Sequence, residues 1–234
     1  MSPTEKPRKR VGNPPQKLQK ASRKWMYIAL VLIVVAIAIV AFVILQNSSS
    51  NTQNNNGTAA GNPVAIIDTT MGIIKVELYK DKAPITTANF IKLINDGFFS
   101  GLVFHRVANL DQNAPTTHII QGGGFYANGT YKTSPFGTIN LETKPDLLHD
   151  DGTIAMARTT DENSATSQFY ICDGPQHFLD GNYAVFGKVT DDASMAVVRE
   201  IANVQTGTRT VQGQSMSDWP DTDVVINSIT LQNQ

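Results

Sequence analysis

Residues 64–79 read VAIIDTTMGIIKVELY. Val64 to Asp68 and Ile73 to Tyr79 are two apolar runs around the turn Thr70-Met71-Gly72. In the second run Ile74, Val76 and Leu78 alternate with Lys75 and Glu77, the period of a half-buried strand. The pair therefore predicts a β-hairpin. Downstream, Pro84 opens a helix that runs to about Asp96 and is closed by Gly97, since proline suits the first helical turn and glycine the position past the end. Short strand-like runs follow at 102–107, 119–122, 153–157, 167–171 and 184–189. A second helix is expected near Ser194 to Ala202, and a last strand over Val224 to Leu231. Short strands at turn-rich spacing with two isolated helices predict a mainly β domain, a closed antiparallel barrel capped by helices. There are no internal repeats.

Upstream of the hairpin the chain changes character twice. Gln46 to Asn62 reads QNSSSNTQNNNGTAAGN, with no charge and nothing apolar larger than alanine. Such a segment buries too little surface to offset its ordering entropy and reads as a flexible tether. Met26 to Leu45 is an uncharged run of 20 residues, long enough at 1.5 Å per residue to span a bilayer core of about 30 Å. Trp25 and Tyr27 stand where interfacial aromatics belong. Lys6, Arg8, Lys9, Arg10, Lys17, Lys20, Arg23 and Lys24 all precede the run, which by the positive-inside rule keeps the N-terminus in the cytoplasm. The run is longer than a signal-peptide core and ends in no A-x-A site. The expected organisation is a basic cytoplasmic tail at 1–24, a signal-anchor transmembrane helix at 25–45, a linker at 46–62 and one domain at 63–232 on the far side of the membrane.

The charge balance excludes some functions. Of 19 basic and 20 acidic residues, residues 1–25 hold eight basic and one acidic. That leaves 11 basic and 19 acidic for the rest, an acidic body that argues against nucleic-acid binding. The single cysteine, Cys172, sits in the strand-like Phe169-Tyr170-Ile171-Cys172 and reads as a small apolar filler. The histidines at 105, 118, 149 and 177 form no recognised ligand pair, and no G-x-S-x-G marks a hydrolase. No metal and no cofactor are expected.

Four blocks carry more specific information. They are Phe104-His105-Arg106-Val107 followed by Ile120-Gln121-Gly122-Gly123-Gly124, then Gly152 to Thr159 (GTIAMART), then Asn163 to Ile171 (NSATSQFYI), then Phe178 to Val189 (FLDGNYAVFGKV). Together and in this order they resemble the signature of the cyclophilin-type peptidyl-prolyl cis-trans isomerases, and the wording of the second and fourth is similar to the bacterial periplasmic branch. The resemblance covers about Val64 to Leu231. It implies an eight-stranded antiparallel barrel with a helix over each open end, a groove for an X-Pro dipeptide on its outer face, and rotation about the bond preceding proline.

The implied chemistry suits the residue types. The barrier of about 18–20 kcal/mol is amide resonance, so no nucleophile, metal or acid–base pair is needed. In the twisted transition state the prolyl nitrogen regains its lone pair, and a donor aimed at it stabilises that state above either ground state. The resemblance assigns that role to Arg106, whose guanidinium is permanently charged and carries its donors in a rigid fork. It gives Gln121 the task of holding carbonyl and arginine in place, Ala157, Arg158 and Gln168 the substrate main chain, and Ile119, Tyr170, Phe178 and Leu179 the apolar seat for the ring. Tyr183 stands where eukaryotic members often carry histidine. Phe104 and His105 are expected to support the site from behind. Glycines 122–124 read equally as a bulge or turn.

Two positions depart from the family's pattern. The link from Val107 to Thr117 is longer than usual, and His118 stands where a phenylalanine should form part of the seat. Either the pocket is weaker there or the insertion shifts the register and another side chain fills it. Phe178 replaces a tryptophan, so an indole donor is lost and cyclosporin is expected to bind weakly. Residues 203–222, with Asp218-Trp219-Pro220-Asp221, read as a surface loop that could face a partner. The expected partners are proline-containing unfolded or exported polypeptides and, through residues 25–45, the bilayer; the protein is expected to be a monomer. A low-turnover proline-peptide-binding module or chaperone on the same scaffold is the competing reading.

Overall fold

The computed structural model describes residues 61–110 and 117–232. The basic tail, the expected transmembrane helix, most of the linker and part of the insertion before His118 lie outside them. Among the described residues no helix is long and apolar enough to cross a membrane. All of them belong to one compact unit, Ala60–Gln234.

In chain order the elements are β1 (Val64–Thr69), β2 (Gly72–Leu78), α1 (Pro84–Asn95), β3 (Leu102–Ala108), β4 (His118–Tyr126), β5 (Thr153–Met156), β6 (Phe169–Asp173), a single 3₁₀ turn (His177–Leu179), β7 (Val185–Val189), α2 (Asp192–Ala202), β8 (Thr206–Val211), β9 (Gln214–Pro220) and β10 (Val224–Leu231). Eight strands close an antiparallel barrel in the order β1-β10-β3-β4-β6-β5-β7-β2, and β8 and β9 form a separate two-stranded sheet. The first hairpin is as expected: Ile74, Val76 and Leu78 are fully buried. The interior is rich in aromatic rings. Phe90 of α1 meets Phe99, Phe169 and Phe186 at 5.1–5.4 Å, and Phe104 meets Phe169 edge-on. Phe104, Phe169 and Phe186 are thus core residues.

Both helices are capped from outside their own sequence or by a single acid. α1 begins at Pro84 with no side-chain cap of its own. The Glu142 carboxylate supplies one, accepting the N–H groups of Ile85 at 3.2 Å and Thr86 at 2.9 Å, which satisfies donors that every helix start leaves free. α2 is capped by Asp191, which accepts the Ser194 N–H at 2.8 Å. The Ser194 hydroxyl in turn accepts the Lys75 N–H at 3.0 Å and ties the helix to β2.

The 203–222 segment is not a loop. β8 and β9 pair from Thr206↔Pro220 to Val211↔Gln214, around Gln212 and Gly213, both with positive φ, the requirement of a tight two-residue hairpin turn. Trp219 is 1% exposed and packs with Val103 and Val211 in a small apolar cluster apart from the main core. The polar alternation of the two strands hides this, since a single buried tryptophan anchors the hairpin.

Candidate functional site

Strand register lines the site residues up. Arg106 on β3 pairs with Gln121 on β4, and Gln121 pairs with Tyr170 on β6. Paired residues share a face of the sheet, so the three stand in one row across three strands. A groove of about 190 Å³ opens along this row and is lined by Arg106, Leu110, Ile119, Gln121, Ala157, Arg158, Tyr170, Leu179 and Tyr183. One end carries the guanidinium and the carboxamide; Leu110, Ile119, Tyr170 and Leu179 form an apolar wall.

Two irregularities in the β3–β4 ladder shape this row. His105 is an extra residue between the pairs Phe104↔Gly122 and Arg106↔Gln121, a bulge in β3. Gly123 and Gly124 are extra on β4 between Gly122 and Phe125. The glycines are needed there: Gly123 has φ +85 and a Cβ would lie 2.7 Å from the Ser167 carbonyl oxygen, while a Cβ on Gly124 would lie 2.8 Å from the Gln168 side chain. That close approach lets Gln168 lie against β4, where its Oε1 accepts from Gln121 Nε2 at 3.1 Å. Gln168 itself lines an adjoining pocket of about 170 Å³ that shares Gln121, Ala157 and Arg158 with the first. The Arg158 guanidinium lies 4.7 Å over the Tyr183 ring and donates from Nε to the Asn182 carbonyl at 2.8 Å.

Behind the row the support is polar and dry. His105 is 1% exposed, with its ring 4.8 Å from Phe125 and 5.8 Å from Trp219. Burial pushes its pKa down to about 4, against a raising influence from the Val103 backbone and Gln168, so it is neutral at pH 7. His149 is buried below Tyr170; its Nδ1 lies 2.8 Å from Asp180 Oδ1 and its Nε2 lies 2.9 Å from the Tyr170 hydroxyl. A carboxylate only accepts, so Nδ1 carries the proton and the Tyr170 hydroxyl donates to Nε2. Burial lowers the His149 pKa despite Asp180. Although burial acts to raise it, the Asp180 carboxyl is held below its ordinary range by hydrogen bonds from the His149 backbone and the His149 and His177 rings. Cys172 is fully buried, and burial pushes its thiol up to about 12, consistent with a filler.

Two expected members stand off the groove. His118 is not among the groove-lining residues, because Ile119 and Gln121 take the outer positions of β4 and alternation turns His118 the other way. Its Nδ1 lies 4.0 Å from Asp173 Oδ2 on the paired strand. Leu110, which follows β3, is among the groove-lining residues. Its only sequence signal is that it is an isolated apolar residue in a polar stretch. Phe178 is 54% exposed and also absent from the lining, while its neighbour Leu179 faces in. Sequence reasoning missed His149 and Asp180 beneath Tyr170.

The family model described as "Cyclophilin type peptidyl-prolyl cis-trans isomerase/CLD" matches residues 64–231. The chain is 41% identical over 155 residues to a peptidyl-prolyl cis-trans isomerase of Acinetobacter baylyi, covering 64% of this chain and 77% of that protein. It is 36% identical over 171 residues to peptidyl-prolyl cis-trans isomerase B of Escherichia coli, covering 70% and 96%. Among solved structures, a cyclophilin type peptidyl-prolyl cis-trans isomerase of Cryptosporidium parvum superposes with a TM-score of 0.58 at 24% identity, over 74% of this chain and 99% of that one. That protein has also been solved in the presence of the dipeptide ala-pro.

Proposed function

The chain belongs to the cyclophilin-type peptidyl-prolyl cis-trans isomerase family and accelerates rotation about X-Pro bonds, and from that premise we propose that it serves exported or envelope proteins as a membrane-tethered folding helper. The uncatalysed rotation takes tens to hundreds of seconds, slow enough to hold up a polypeptide emerging unfolded on the far side of a membrane.

In this reading the proline ring sits against Leu110, Ile119, Tyr170 and Leu179. Arg106 donates to the prolyl nitrogen as it pyramidalises, and Gln121 holds the substrate carbonyl. The Gln121–Gln168 hydrogen bond fixes both carboxamides before substrate arrives, and Ala157 and Arg158 flank the main chain. The binding of proline-containing peptides by this groove is part of the same proposal. The observation that carries it is the cross-strand row of Arg106, Gln121 and Tyr170 opening onto an apolar wall. His118 no longer argues for a weakened seat, since it lies off the groove.

The anchor rests on the uncharged run from Met26 to Leu45 and the eight basic residues before it. That run supports a single-pass protein with its N-terminus in the cytoplasm and the catalytic domain outside; the wording of Ala155–Thr159 and Tyr183–Gly187 is the ground for a bacterial periplasmic kind, and the domain is proposed to act as a monomer. Protease added to intact cells or spheroplasts should remove the domain and leave the anchor; a protected domain overturns this placement.

The activity test uses the full chain in mild detergent and a short Ala-Pro reporter peptide. Loss of one aimed donor costs about 10²–10³ in rate where charge develops in a dry site, so Arg106→Ala should lower kcat/KM by about that factor. Background rates in the wild type, with peptide still bound, would make this a recognition module instead.

A further inference from the structure

The β8–β9 hairpin has no part in the mechanism above, yet it reaches the catalytic arginine. Asp218 on β9 places Oδ2 3.6 Å from Arg106 Nε, with both side chains about one-third exposed. Asp218 occupies an unusual position. The pairs Gly207↔Trp219 and Arg209↔Met216 leave one residue on β8 opposite two on β9, so Ser217 and Asp218 form a bulge. Asp218 has φ +60, one of two non-glycine residues with positive φ among those described. A bulge re-aims side chains beside a functional site, and left-handed backbone on a non-glycine residue persists only where its surroundings hold it.

The surroundings do hold it. The next residue, Trp219, is buried against His105, the residue before Arg106. Its Nε1 donates to Asp223 Oδ1 at 2.9 Å, and Arg209 donates to the same oxygen at 2.9 Å while its guanidinium lies 4.7 Å over the indole. Two bulges thus face one another. The one in β3 puts His105 and Arg106 side by side; the one in β9 sets Asp218 beside Arg106, and Trp219, the residue after it, lies against His105.

We propose that Asp218 is a positioning residue for Arg106, presented by the Trp219-anchored hairpin. The carboxylate engages the Nε edge of the guanidinium and leaves the two terminal nitrogens to face the groove. The fork is planar and rigid, so holding one edge sets the direction of the other. This inference rests on the isomerase reading and on Arg106 as the donor.

The test measures kcat and KM of the full chain in mild detergent with the Ala-Pro reporter, for wild type, Asp218→Asn, Asp218→Glu, Arg106→Ala and the Arg106→Ala/Asp218→Asn double variant. A solvent-screened pair of this exposure contributes little by attraction alone, and misdirection of the donor adds to its effect. Asp218→Asn should therefore lower kcat about threefold to tenfold with KM changed less than about twofold, the pattern of an interaction made only in the transition state. Asp218→Glu should recover most of the loss, and Asp218→Asn should cost nothing further once Arg106 is gone. An Asp218→Asn variant with wild-type kcat overturns the inference and leaves the isomerase reading intact. The same loss in the Arg106→Ala background also overturns it, because the aspartate would then act through something else. A wild type at background rates overturns the isomerase reading and this inference with it.

Discussion

Replacing His105 with phenylalanine should change how stability responds to acid. The ring is 1% exposed, and burial takes its pKa from near 6.5 to about 4. Between those values the unfolded chain binds a proton that the folded protein refuses, so folding stability falls as pH is lowered from about 6.5 towards 4. At 1.36 kcal/mol for each tenfold change in proton affinity, the full drop corresponds to about 3 kcal/mol for His105, a large share of the 5–15 kcal/mol of a typical domain. His149 acts in the same direction, but it is present in both proteins and cancels in the comparison. The assay is urea unfolding of residues 60–234 at pH 7.5, 6.5, 5.5 and 4.5, comparing wild type with His105→Phe. The variant carries some constant offset from altered packing against Phe125, which does not bear on the result. What counts is the slope: the wild type should lose about 2.5 kcal/mol more than the variant by pH 4.5. Parallel curves would refute the reasoning, because His105 would then titrate alike in both states.

Trp219→Ala should destabilise the domain by about 3–5 kcal/mol, the usual cost of emptying a buried aromatic site, since Trp219 is the largest fully buried side chain described; urea unfolding measures it, and a loss under about 1 kcal/mol would mean the hairpin is not anchored there. Phe178→Ala should leave kcat/KM within about twofold of wild type, because a half-exposed ring outside the groove offers little differential binding to the transition state; a tenfold loss in the Ala-Pro assay would place it in the seat.

The barrel was legible where a strand has one wet face and one dry face. β2 shows this best, with Ile74, Val76 and Leu78 buried and Ile73 and Lys75 exposed. The candidate site was legible as a grouping: the motif residues Arg106, Gln121, Ala157, Arg158, Tyr170, Leu179 and Tyr183 line one groove. Two kinds of information were not. The β8–β9 hairpin reads as loop because TGTRTV and QSMSDWP carry few apolar residues, and one tryptophan does the work usually spread over a face. His118 reads as part of the seat because motif spacing counts residues, whereas the groove is lined by whichever residues the pleat turns outward. Beside β4 that equivalence fails: Leu110 lines the groove and His118 does not.

The remaining illegibility has a single physical source. A regular strand alternates, so consecutive residues go to opposite faces, and a groove-facing arginine would have neither of its sequence neighbours on its own side. The bulge at His105 removes that constraint. It sets two consecutive side chains beside each other, one buried neutral against Phe125 and Trp219, the other charged and facing the groove. The bulge in β9 and the residue after it answer with a similar pairing, the Trp219 indole against His105 and the Asp218 carboxylate beside Arg106. The barrel supplies rigidity through its regularity, and the residues nearest the chemistry are placed by the points where that regularity fails. A pattern of period two cannot announce its own interruptions, which is why the core could be read residue by residue while the arginine's immediate surroundings could not.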